Sequence, residues 1–105
     1  LDGIDGIIVG PNDLSASMGH IGRTAHPDMF PIYDKIGNVL KESGKLFGVS
    51  VGYDETTIEQ WLDRGANMIF VGHDVGYVHD GAHSTSSRLD KIINSRINKF
   101  NHTII

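Results

Sequence analysis

Ile7-Ile8-Val9 runs straight into Gly10-Pro11, and that junction limits what the chain can build. The stretch Ile7 to Gly10 has no polar alternation, which is the pattern of a strand covered on both faces, as in a parallel sheet. Pro11 lacks an N–H and fixes φ, so the strand ends there. Asn12 and Asp13 then fall at a helix start, where unpaired N–H groups favour an anion. A carboxylate just past the C-terminal end of a parallel strand sits where α/β enzymes place their chemistry.

The rest of the chain repeats this plan. Residues 5–9 read as the first strand and 13–18 as a short helical turn. Gly19 to Pro27 is a loop punctuated by Gly and Pro. Residues 28–43 carry Met29, Ile32, Tyr33, Ile36, Val39 and Leu40 at helical spacing, with Pro31 in the first turn and Gly44 as the stop. Gly37 weakens this helix and suggests close packing on the sheet. Leu46 to Val51 is the second strand. Asp54 is an N-cap for a helix over 55–64 that buries Ile58, Trp61 and Leu62. Asn67 to Gly72 is the third strand. A last helix begins between 75 and 86, capped by Asp74, and runs to about Phe100. Its apolar stripe is Leu89, Ile92, Ile93, Ile97 and Phe100. The tail 101–105 is expected to fray.

This β-α-β-α-β-α order implies parallel neighbours. The fold class is α/β, and both a doubly wound sheet and a (β/α)8 barrel are built this way. Three units alone leave two bare strand edges, and the chain enters a strand within a few residues of Leu1. We therefore expect residues 1–105 to be the C-terminal part of a longer chain, about three βα units of a single domain.

Composition narrows function by exclusion. Nine Lys+Arg against 13 Asp+Glu give a formal net charge of −4, which offers no basis for nucleic-acid binding. No Cys is present, so there is neither a disulfide framework nor a thiolate metal site. No apolar run reaches the ~18 residues of a membrane span, and a cytoplasmic setting is the default expectation. There is no P-loop, no GxGxxG after a strand and no His-x-x-His cluster. His20 and His26 read as loop residues, with His26-Pro27 helping to start the long helix. His79, His83 and His102 have no spacing that suggests a joint metal site.

The informative run is Gly10-Pro11-Asn12-Asp13-Leu14-Ser15-Ala16-Ser17-Met18-Gly19, followed by Gly22, His26-Pro27, Ser43-Gly44-Lys45, Gly48-Val49-Ser50 and Gly65-Ala66 leading to Val71-Gly72-His73-Asp74. Over roughly residues 2–100 this resembles the C-terminal part of the HpcH/HpaI aldolase family, the metal-dependent pyruvate aldolases of the phosphoenolpyruvate/pyruvate barrel superfamily. The resemblance implies the last part of a (β/α)8 barrel. It also implies aldol cleavage or condensation of a 2-keto-3-deoxy or 4-hydroxy-2-oxo acid, giving pyruvate and an aldehyde. By the same resemblance Asp13 is one of two carboxylates that hold a divalent cation, Mg²⁺ or Mn²⁺. The N–H groups of Asn12 and Asp13 hold the carboxylate of pyruvate. Ser50 stands where the family places an apolar side chain against substrate. The second metal-binding Glu, an Arg and an acid/base His lie upstream in the family, so no catalytic residue is assigned within the chain. Family members form homo-oligomers.

The chemistry is coherent, because an enolate next to a keto acid is stabilised by a hard cation. Lys45, at the opposite strand ends from Asp13, is a poor Schiff-base candidate. Ser15 and Ser17 read as satisfying backbone groups, Tyr33 and Trp61 as packing residues. Two rival readings are an acyl-CoA lyase of the same superfamily and a catalytically incomplete or non-catalytic module.

Overall fold

The computed structural model describes residues 2–104, with the backbone alone for 100–104. Its elements in chain order are β1 (Gly6–Val9), α1 (Pro11–Ser17), a 3₁₀ turn (Pro27–Met29), α2 (Phe30–Ser43), β2 (Leu46–Val51), α3 (Glu55–Asp63), β3 (Met68–Val71) and α4 (Asp74–Ile104). The strands form one parallel sheet in the order β1-β2-β3. Val9 pairs with Val49, and Val49 with Ile69. Backbone bonds lengthen the ladder at its ends, from Leu46 N to Asp5 O, from Asn67 N to Phe47 O and from Gly72 N to Val51 O. The chain forms one compact unit up to Gly72 and a second from His73 onward.

The core lies on one face of the sheet. Phe47 and Val49 point there with Val9, and Tyr33, Leu40, Met29 and Trp61 cover them. Side chains alternate along a strand, so Leu46, Ile8, Met68 and Phe70 fall on the opposite face, where they are exposed. The expectation that β1 is covered on both faces is thus corrected: Ile8 is 57% exposed, since α2 and α3 line only the Phe47–Val49 side. Gly48 lies on the open face, where a Cβ would be a tight 3.2 Å from Ile8 Cγ1.

Three further expectations change. Val39 is exposed because α2 overhangs β1, an edge strand. It lines an apolar groove with Ile7, Leu14 and Ile36. Leu62 is half exposed, while Trp61 carries the burial of α3. Gly37 does allow a close approach, but to the end of α3 and not to the sheet: a Cβ would sit 2.8 Å from Arg64 O.

Local signals account for the element ends. The Asp54 carboxylate accepts from Thr57 N at 3.0 Å and caps α3. Gly44, at φ 67°, closes α2. His26 Nδ1 accepts from Asp28 N at 3.1 Å and starts the 3₁₀ turn that leads into α2. Ser15 and Ser17 donate to Asn12 O and Leu14 O. Lys45 Nζ donates to Ile4 O and so stands at the N-terminal side of the sheet, away from Asp13. Asp74 is the first residue of α4 and not its cap: Tyr77 N bonds to His73 O, and Asp74 Oδ1 takes the Val75 N–H. Leu89, Ile92, Ile93 and Ile97 of the α4 stripe are exposed. The Phe100 side chain and the frayed tail expected over 101–105 lie outside the described residues. No described helix is long and apolar enough to cross a membrane.

Two outcomes follow from this packing. Gly37→Ala should destabilise the fold by about 1–3 kcal/mol in urea denaturation through overpacking. A gain near the ~1 kcal/mol that helix propensity alone supplies would contradict the close approach. Burial raises the Tyr33 phenol above its ordinary value of 10.0, and the nearby Arg64 only partly offsets this. The folded chain then keeps a proton that the unfolded chain has lost. Stability from this group is complete below about pH 10 and falls as pH rises past it. A phenolate absorbance component that Tyr33→Phe removes should therefore titrate above pH 10; titration below it would refute burial as the leading cause.

Candidate functional site

The C-terminal ends of β1 and β2 carry the residues that the sequence singles out. Gly10 is the N-cap of α1, with Pro11, Asn12 and Asp13 in its first turn. Leu14 N closes on Gly10 O at 3.0 Å, which leaves the N–H groups of Asn12 and Asp13 without an intrahelical acceptor. The Asp13 carboxylate folds back toward the strand end, with Oδ2 lying 3.7 Å from where a Cβ on Gly10 would be. Asp13 is exposed and makes no ion pair among the described residues.

Ser50 is exposed near the end of β2 and pairs in register with Phe70. Asn12 and Ser50 both line a cavity of about 310 Å³, whose walls include Thr24, Tyr33, Tyr53 and Trp61. Asp13 is not part of that lining. The structure therefore brings two of the three sequence-predicted residues to one cavity and leaves Asp13 beside the strand end. A larger depression of about 500 Å³, lined by Asp34, Lys41, Asp63 and Arg64, opens on the outer surfaces of α2 and α3, away from the strand ends.

Side-chain contacts cross-link the floor of the smaller cavity. Tyr33 donates to Thr24 O at 2.7 Å and so ties the loop after α1 to α2. Its ring packs on Trp61, with centroids 4.7 Å apart. Arg64 lies over three rings, 4.8 Å from Trp61, 5.2 Å from Tyr33 and 5.9 Å from Phe30. Its Nε donates to Asp34 Oδ1 at 2.9 Å. A guanidinium stacks this way because ring faces are electronegative. At the rim, Thr57 holds the Asp54 carboxylate below the usual range, first through its hydroxyl at 2.6 Å and then through its N–H. The α3 cap is therefore complete above that range and is lost as pH falls through it.

Sequence reasoning missed two features. Arg64 is one; the only signal was a cation three residues after Trp61, at the end of α3. The other is the loop pair His20 and His26, whose rings stack 3.8 Å apart, with Asp28 bound to both. Their separation in sequence hides the contact. On α4, His79 and His83 also stack, at 6.3 Å, as i, i+4 spacing allows. His73 is exposed and lies within the second compact unit.

Residues 1–80 match the family model described as HpcH/HpaI aldolase/citrate lyase. A hydroxypyruvate/pyruvate aldolase of Roseobacter denitrificans is 35% identical over 88 residues, covering 84% of this chain and 34% of its own length. A 5-keto-4-deoxy-D-glucarate aldolase of Salmonella arizonae is 36% identical over 90 residues, covering 86% of this chain and 35% of its own. The crystal structure of an HpcH/HpaI aldolase from Desulfitobacterium hafniense superposes with a TM-score of 0.74 at 28% identity, over 84% of this chain and 34% of that one. This chain spans about a third of the length of the curated relatives it matches. Its sheet and helices correspond to part of a (β/α)8 barrel, and the chain belongs to the HpcH/HpaI aldolase/citrate lyase family.

Proposed function

We propose that this chain supplies the C-terminal part of an aldolase that cleaves or forms a C–C bond next to a 2-oxo acid, with pyruvate and an aldehyde as the products or partners. The carrying observation is the Gly10–Gly19 run, folded as a strand end and helix start beside a cavity shared by Asn12 and Ser50. The names of the relatives, both aldolases of small oxo acids, support aldol chemistry over the rival acyl-CoA reaction.

In this reading the N–H groups of Asn12 and Asp13 receive the carboxylate of pyruvate and fix its orientation. Ser50 borders the space for the aldehyde portion. The aromatic wall of Tyr33 and Trp61 holds the loop that carries Thr24 and keeps the cavity shaped. Asp13 offers one hard oxygen of the kind that Mg²⁺ or Mn²⁺ prefers, but a full shell takes about six. The donor therefore fits in kind, and the set is incomplete within these 105 residues. When bound, such a cation supplies Lewis-acid stabilisation of the negative charge that develops on the oxo acid. The remaining ligands and the acid/base group belong to the upstream part that the family resemblance implies. A cytoplasmic setting and a homo-oligomer belong to the same proposal.

Asp13→Ala in the complete enzyme should abolish divalent-cation-dependent exchange of the pyruvate methyl protons into D₂O, read by NMR. Unchanged exchange would sink the role given to Asp13. Ser50→Leu should shift the ratio of kcat/KM between a polar and an apolar aldehyde by about tenfold, or ~1.4 kcal/mol, and an unchanged ratio would remove Ser50 from the site. Parallel assays with free oxo acids and their CoA esters separate the aldolase from the lyase reading.

A further inference from the structure

We propose that His20, His26 and Asp28 form a binding site for a borderline divalent cation such as Zn²⁺, which staples the loop between α1 and α2. The site is separate in place and in donor chemistry from the oxygen site given to Asp13, and it does not rest on the aldolase reading. Each of the three side chains offers one ligand atom, and these atoms all lie within 4.8 Å of one another. Asp28 Oδ2 is 3.1 Å from His20 Nε2 and 3.6 Å from His26 Nδ1. A tetrahedral ion with bonds of about 2.0–2.1 Å has ligand–ligand edges of roughly 3.3–3.4 Å. The two edges to Asp28 straddle that value, while the two histidine atoms lie within 4.8 Å and their rings stack at 16°, so a shared ion requires one imidazole to turn out of the stack.

The tautomer of His26 is already set. Its Nδ1 accepts the Asp28 N–H at 3.1 Å, so the Nδ1 lone pair is engaged by that N–H and the ring proton resides on Nε2. Cation entry exchanges that bond for a coordinate bond, and it displaces any proton held between His20 Nε2 and Asp28 Oδ2. Two imidazoles and one carboxylate suit Zn²⁺ and its neighbours in the transition series better than Mg²⁺, which prefers oxygen alone. Solvent reaches the cluster: the side chains of His20 and His26 are 22% and 27% exposed, and that of Asp28 is 70% exposed. A fourth position remains for water or a ligand.

The site brackets a functional segment. Thr24 and Ala25, which lie between His20 and His26, both line the cavity shared by Asn12 and Ser50. Thr24 O also anchors the Tyr33 hydroxyl. A cation on His20 and His26 therefore closes the loop that forms this wall.

Calorimetric titration of the full chain with Zn²⁺ tests the proposal, with Co²⁺ absorbance reporting the coordination geometry. One equivalent should bind, with intense visible Co²⁺ bands typical of a tetrahedral site. His20→Ala and Asp28→Asn should each weaken binding at least tenfold, with circular dichroism confirming the fold. These two variants are chosen because His26 also caps the 3₁₀ turn. Asp13→Ala, and the paired change His79→Ala with His83→Ala on α4, should leave binding unchanged. The absence of Zn²⁺ binding would overturn the proposal. So would binding that survives the combined His20→Ala and Asp28→Asn changes, or binding lost with His79 and His83.

Discussion

Phe47 and Val49 hold the first unit together. Both side chains are covered almost completely by Tyr33, Leu40 and Trp61, which draws α2 and α3 onto one face of the sheet. Full burial of side chains this size contributes about 1.5–3 kcal/mol each. Because that burial is one-sided, it fixes which residue of every strand faces helices and which faces outward. Ser50 lies one residue beyond Val49 and so projects from the opposite face, at the end of the strand where Asn12 and Asp13 also stand. The position of the candidate site follows from the same alternation that builds the core.

Arg64 gives the core its second constraint. Its guanidinium fills the space between Phe30, Tyr33 and Trp61, while Asp34 takes one of its N–H groups. Only glycine at position 37 lets α2 approach this corner closely enough. The pieces reinforce one another: Gly37 admits the end of α3, Arg64 bridges the aromatic rings, and Tyr33 reaches on to Thr24 in the loop. The loop that shapes the cavity is thereby tied to the buried face of the sheet and not left to its own Gly-rich sequence.

Much of this was legible before the structure. Leu46–Val51 is a strand end to end, because β-branched and aromatic residues between Lys45 and Gly52 allow little else. Asp54 and Gly44 announce their helix ends through capping chemistry that depends only on near neighbours. The Gly10–Gly19 run identified the family and so the candidate residues. What was not legible depends on distant partners. The exposure of Ile8, Val39 and Leu62 reflects an uncovered sheet face, the space beside an edge strand and an outer helix face, and no local pattern encodes it. Gly37 read as a packing glycine, but its neighbour, Arg64, comes from another helix. His20 and His26 read as separate loop residues until the turn at Pro27 stacked them.

We propose that these βα units carry part of an aldolase site, with the remaining groups in the upstream part that the family resemblance implies. The most direct measurement is the rate of pyruvate methyl proton exchange in D₂O with Mg²⁺ or Mn²⁺, compared between the isolated chain and the same segment within the full-length protein. The account predicts exchange by the full-length protein and none above the buffer rate by the isolated chain. Exchange at a comparable rate by the isolated chain would contradict it.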